Sequence, residues 1–137
     1  MSEGFSIEEL QIGQSATMSK TVTEADIVMF AGVTGDFNPA HIDAEYAANS
    51  MFKERIAHGM LSAGFISATI AMKLPGPGSI YLSQSLKFKA PVTIGNTVKT
   101  IVTVTSINEE KKIVVLDTIC TVAGKEVVVG EASLMKP

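Results

Sequence analysis

An aspartate and a histidine stand five positions apart in Gly35-Asp36-Phe37-Asn38-Pro39-Ala40-His41. A carboxylate and an imidazole sharing one water can add it to an electrophile: Asp36 accepts the water's proton, while His41 orients the water and supplies a proton elsewhere. Fully extended, the segment would hold the two backbones roughly 17 Å apart, so the pair can cooperate only if the chain folds back. Asn38-Pro39 suits such a turn, because proline disfavours αR at the preceding residue and asparagine bonds readily to nearby backbone. The same residues also fit a plain turn, with Asp36 closing an Asx-turn and His41 a surface histidine flanking a helix.

A second segment, His58-Gly59-Met60-Leu61-Ser62, stands where an apolar helix should begin. The first N–H groups of a helix lack intrahelical acceptors and lie at the positive end of its dipole, so they can hold a carbonyl oxygen that is acquiring charge. Gly59 suits that task because a substrate can approach a backbone without a side chain; it equally fits an ordinary helix-start glycine. Ser62, one turn in, either touches a ligand or bonds a backbone carbonyl. His58 reads as an exposed loop residue or as the flank of the helix, with no step assigned to it. Met60 and Phe65 suit either a ligand pocket or the core.

The elements that must position these residues follow from punctuation and period. Thr23-Glu24-Ala25-Asp26 predicts a helix start with Thr23 as N-cap, and Gly32 to Gly35 ends that helix. Asp43 caps a second brief helix through Tyr46 and Ala48. Residues 60–72 are apolar almost all round, which predicts a helix buried on most sides, stopped by Pro75-Gly76-Pro77-Gly78. Beyond it the apolar period becomes alternating: Ile80, Leu82, Leu86, Phe88 and Ala90 share one face. Strands are predicted over 97–107, 112–122 and 126–134, with turns at Gly95, at Asn108 to Lys111 and at Ala123-Gly124. With an N-terminal strand over 14–21, the expectation is an antiparallel meander of about five strands curling around one long helix. Apolar surface left uncovered by one sheet predicts a homodimer or higher homo-oligomer.

Composition narrows the classes. At 137 residues, 46% apolar and 18% charged, the chain is one globular domain over 1–137 that buries roughly two-thirds of its unfolded surface. Cys120 is the only cysteine, which excludes an internal disulfide and a cysteine-rich zinc site. His41 and His58 are the only histidines, too few for a His-rich metal centre although not for a carboxylate-assisted one, and no metal is expected. The N-terminal segment M-S-E-G-F-S-I-E-E-L has neither a basic region nor a continuous apolar one, so no signal peptide is expected and the cytoplasm is the expected location. The run 59–74 contains Ser62, Ser67 and Thr69 and falls short of the roughly 20 apolar residues of a bilayer span. Net charge is −3, yet residues 1–50 carry one lysine against eight acids while residues 51–137 carry ten basic residues against six acids. There is no basic run and the only tyrosines are Tyr46 and Tyr81, which argues against a nucleic-acid partner. Lys53, Arg55, Lys73, Lys87 and Lys89 fit a small anionic ligand, or simply a solvated surface.

The order F-A-G-V-T-G-D-F-N-P-A-H-I-D, then R-I-A-H-G-M-L-S, then a breaker, then Y-L-S-Q-S-L-K-F-K-A-P-V-x-I-G-x-T-V resembles the MaoC-like (R)-specific enoyl-CoA hydratases, from about Gly13 to Leu134. The D-x-N-P-x-H block is specific to that family. The resemblance implies an α+β hot-dog fold, in which a curved antiparallel sheet wraps a long central α-helix, and a dimer whose sheets join edge to edge. It implies that Asp36 and His41 are the catalytic pair, shaped by the turn at Asn38 and Pro39, and that the Gly59 N–H binds the thioester oxygen. Ser62, Asn38 and Met60 are then substrate-binding, and Lys53, Arg55, Lys87 or Lys89 receive the coenzyme A phosphates. The implied reaction is reversible syn addition of water to a trans-2-enoyl-CoA, giving the (3R)-3-hydroxyacyl-CoA, with no cofactor because coenzyme A is part of the substrate. Related hot-dog dehydratases use a His with a Glu on the central helix, and this helix has no Glu; hot-dog thioesterases commonly lack the D-x-N-P-x-H block. A dehydratase acting on acyl carrier protein, a thioesterase and a non-catalytic acyl-CoA-binding module are the alternatives.

Overall fold

The computed structural model describes residues 3–137; Met1 and Ser2, which open the segment read above for a leader and the expected domain, lie outside the described residues. Strand β1 (Ser15–Thr21) leads into helix α1 (Glu24–Thr34). The start of α1 is the expected one: Thr23 Oγ1 accepts from the Asp26 N–H at 3.1 Å, and Asp26 Oδ2 accepts from the Thr23 N–H at 2.9 Å. Two short helices follow, α2 (Pro39–Ile42) and α3 (Ala44–Ala48), the second capped by the Asp43 carboxylate as predicted. The long helix α4 spans Gly59–Met72, and the rest of the chain is β2 (Ile80–Gln84), β3 (Lys87–Phe88), β4 (Thr97–Asn108), β5 (Ile113–Val122) and β6 (Lys125–Met135).

The strands form one antiparallel sheet in the order β1-β4-β5-β6-β2, with β3 also paired to β6. Only β4, β5 and β6 form the expected meander: β1 joins from the N-terminal side beside β4, and both short strands lie along β6. In β4 every second residue from Val98 to Val104 is buried, and Val114, Leu116 and Cys120 of β5 repeat the pattern. That alternation gives the sheet one apolar face. Helix α4 packs on it, against β4, β1, β5 and β6, through the stripe Ser62, Ile66, Thr69 and Ile70. Sheet and helix together make the α+β hot-dog architecture. No helix among the described residues is long and apolar enough to cross a membrane.

Three local expectations are corrected. Asn38-Pro39 is a helix start rather than a turn, because Asn38 Oδ1 accepts the Ala40 N–H at 3.1 Å and Pro39 takes a first-turn position where no N–H is needed. The 80–90 run is two strands, divided where the Ser85 N–H donates to the Glu131 carbonyl, Ser85 Oγ accepts the Glu131 N–H, and the Ser85 carbonyl lies 1.9 Å from where a Gly130 Cβ would be. Only glycine fits that crossing, and the apolar face of the run is only partly covered: Leu86 and Ala90 pack against the core, while Ile80 and Leu82 of β2 and Phe88 of β3 are exposed. Helix α4 is buried along one stripe rather than on most sides, with Met60, Gly64 and Met72 open on its outer face.

Candidate active site

The loop after α1 supplies the carboxylate. Asp36 Oδ1 accepts the Asn38 N–H at 3.1 Å, and the Asp36 N–H donates to Thr34 Oγ1 at 3.2 Å, so the carboxyl sits in an Asx-turn and remains exposed. The turn reading of Asp36 therefore holds, and the turn leaves the carboxyl open to solvent. His41 follows in the last turn of α2 and is partly buried, not the surface histidine of the alternative reading. Its Nδ1 lies 2.8 Å from the Ile56 carbonyl. A carbonyl can only accept, so Nδ1 carries a proton, and in the neutral ring Nε2 carries the lone pair. One nitrogen of each histidine and an Asp36 carboxylate oxygen all lie within 4.8 Å of one another, so the chain does fold back to bring the pair together.

His58 is the residue that sequence reasoning left without a role. It is 2% exposed, flanks α4 as its N-cap, stacks on His41 with ring centroids 3.9 Å apart and meets Phe30 at 4.8 Å. Its one sequence signal was position, directly before the glycine that opens the buried helix. Asp36, His41 and His58 have the composition of a metal site, but the rings are stacked, 28° from parallel. Stacked imidazoles send their in-plane lone pairs side by side rather than to one point, and one nitrogen of each already faces a carbonyl.

Helix α4 begins without a side-chain cap, because the His58 imidazole makes no bond to its first turn. That leaves donors at the positive end of the helix, as the oxyanion role requires. The reason for glycine differs from the expected one: a Cβ at position 59 would lie 2.7 Å from a Phe88 ring carbon, so the glycine admits that ring as well as any ligand. A cavity of about 590 Å³ opens here, bordered by His41, His58, Gly59, Met60, Ser62 and Phe88. A second, of about 580 Å³, lies over Asp36, Met60, Ala63, Gly64, Ser67 and Tyr81. Met60 borders both. In the second cavity burial pushes the Tyr81 phenol up to about 12, and its O–H donates to Gln84 Oε1. Burial also raises the Cys120 thiol, which lies against the Ser62 carbonyl and is thus a poor nucleophile.

The remaining predicted residues separate by geometry. Asn38 uses its side-chain oxygen to cap α2, so it builds the helix that carries His41. Arg55 is engaged within the protein: Nε donates to the His41 carbonyl at 2.6 Å, and Nη1 reaches both Glu24 oxygens at 3.1 and 2.9 Å. Those bonds tie the end of α2 to the start of α1 and engage Nε and Nη1 of the guanidinium within the protein. Lys89 borders the first cavity and pairs with Glu126 at 3.1 Å, while Lys53 and Lys87 are exposed. Lys73 donates to the Thr17 carbonyl at 2.9 Å.

Comparison with known proteins agrees with this geometry. The family model described as "MaoC like domain" matches residues 9–129. The chain is 59% identical over 130 residues to an (R)-specific enoyl-CoA hydratase of Rhodospirillum rubrum, covering 95% of this chain and 90% of that one. It is 44% identical over 134 residues to the (R)-specific enoyl-CoA hydratase of Aeromonas caviae, covering 97% of this chain and all of that one (100%). The solved unliganded R-hydratase PhaJ1 of Pseudomonas aeruginosa superposes with a TM-score of 0.93 at 48% identity, over 98% of this chain and 86% of that chain. With its signature residues gathered at the open end of α4, the chain belongs to the MaoC-like domain family, among the (R)-specific enoyl-CoA hydratases.

Proposed function

We propose that this protein adds water reversibly to the double bond of a trans-2-enoyl-CoA, on one face, to give the (3R)-3-hydroxyacyl-CoA. The observation that carries the reading is the convergence of the Asp36 carboxylate and the His41 imidazole beside the uncapped start of α4. Asp36 and the unprotonated His41 Nε2 each accept one O–H of a single water, which aims its oxygen at C3. As that oxygen bonds to C3, the π electrons move through C2 to the thioester oxygen, which the Gly59 N–H stabilises. Asp36 is the base. It takes one proton of the water while the other stays on the oxygen as the product hydroxyl, hydrogen-bonded to Nε2. With Nδ1–H committed to Ile56, His41 orients the water, and the proton Asp36 removed is delivered to C2, which leaves the carboxylate ionised again. Hydroxyl and hydrogen then reach the same face, which is the syn outcome. No cofactor enters this reading.

The two cavities meeting at Met60 give room on either side of the reacting carbons for the acyl and pantetheine arms. Ser62 and Met60 line the reacting end, and Lys89, with Lys53 and Lys87 further out, faces the phosphates. A homodimer belongs to the reading, since the exposed Ile80 and Leu82 lie on edge strand β2 and Met60 and Met72 lie on the open side of α4. The test is crotonyl-CoA: the enoyl absorbance should fall and chiral analysis should return the 3R alcohol. Release of free coenzyme A, or binding with no change in absorbance, would overturn the reading.

A further inference from the structure

Helix α4 begins with a buried imidazole that bonds away from its own helix. His58 Nε2 lies 2.9 Å from the main-chain carbonyl of Asp36, 22 residues earlier in the chain. Because a carbonyl only accepts, Nε2 carries a proton, and in the neutral ring the lone pair is on Nδ1. That Nδ1 is sealed from solvent and has no partner among the described residues. An unpaired buried acceptor costs stability, so packing alone would favour a phenylalanine or leucine here, beside Phe30. What an apolar residue could not supply is the donor to Asp36. The other face of the argument is the ring: His41 stacks on it at 3.9 Å, so one side chain touches the backbone of the carboxylate and the plane of the imidazole together.

We propose that His58, as the Nε2–H tautomer, is a positioning residue that sets Asp36 and His41 in register so that both address one water. The proposal rests on the hydratase reading for its effect on rate, while its geometric content stands apart from any activity. Two substitutions separate the bond from the stack. His58→Gln can place an amide N–H where Nε2–H was, without the ring; His58→Phe keeps a ring under His41 but has no donor.

With crotonyl-CoA, His58→Phe should lose about 100-fold in kcat with KM nearly unchanged, the size of effect expected when reacting groups shift by about 1 Å. His58→Gln should recover most of that loss. A Phe variant with near wild-type kcat, or a Gln variant as slow as the Phe variant, would overturn the proposal. Independently of turnover, proton–nitrogen correlation spectra of the wild-type imidazoles should show His58 protonated at Nε2 and bare at Nδ1. The His41 nitrogen signals should move in His58→Gln, which removes the ring stacked on them, and stay nearer their wild-type positions in His58→Phe, which keeps one. The opposite tautomer or an imidazolium at neutral pH, or unmoved His41 signals in His58→Gln, would refute it even if crotonyl-CoA proved not to be a substrate.

Discussion

Two helices of this protein begin in opposite ways. At α1 the start is closed by its own side chains: Thr23 and Asp26 bond reciprocally, and Lys20 reaches Asp26 at 2.6 Å. At α4 the residue in the capping position sends its donor to Asp36 and leaves the first turn without a side-chain partner. An N-cap is typically worth about 1 kcal/mol, and α4 forgoes it. Tertiary packing offsets the loss, since Ile66 and Ile70 are buried to 0% and 1% exposure against the sheet. A closed start serves the fold alone, and an open start keeps donors for a ligand, so changes at the two should register in different measurements.

The largest effect should come from Asp36→Asn, which keeps the shape of the carboxyl and removes the base. Hydration should slow by about 10² to 10⁴-fold with the melting temperature unmoved, and a near wild-type rate would remove Asp36 from the chemistry. Next is Gly59→Ala, whose Cβ must displace the Phe88 ring 2.7 Å away or shift the helix start itself. A rate loss of about 10²-fold is expected from such a displacement, read in the same assay. Thr23→Ala should instead lower stability by about 1 kcal/mol in a denaturant titration and leave the rate alone. If it slowed turnover as much as Gly59→Ala, the contrast between the two helix starts would collapse.

The smallest effect is the most specific. The Lys20 ammonium bonded to Asp26, helped by the Thr23 N–H and hydroxyl, holds this carboxyl below its usual 3.8. A depressed folded value means that its stabilising share is complete above the unfolded value and is lost as pH falls through the folded one. The stability difference between wild type and Asp26→Asn should therefore be constant near neutrality and shrink in acid below pH 3.8. Melting temperatures across that range check it, and a difference that grew in acid would reverse the sign.

Much of this was legible in the residues. The caps at Thr23 and Asp43, the breaker after α4 and the alternation of β4 to β6 are local signals, and α1, α3, α4 and β4 to β6 appear within a residue or two of their predicted limits. The D-x-N-P-x-H block pointed to the pair, and Gly59 to the helix start. The bonds of Arg55 to Glu24 and the His41 carbonyl were not legible, because a cation looks the same in sequence whichever partner it meets. The 80–90 run was misread because alternation shows which residues share a face but not whether anything covers that face.

The amino-acid sequence by itself determined the kind of chemistry: a carboxylate, an imidazole and backbone amides, with one cysteine and two histidines to draw on. Tertiary structure alone decided which groups cooperate. Asp36 and His58 are 22 residues apart, and no local rule couples them. They meet because packing α4 on the sheet carries its first residue under the loop after α1. The His41 tautomer was settled in the same way, by an Ile56 carbonyl 15 residues onward. Hydrogen-bond partners across a fold are set by where the core places the backbone, and the core is a property of the whole chain.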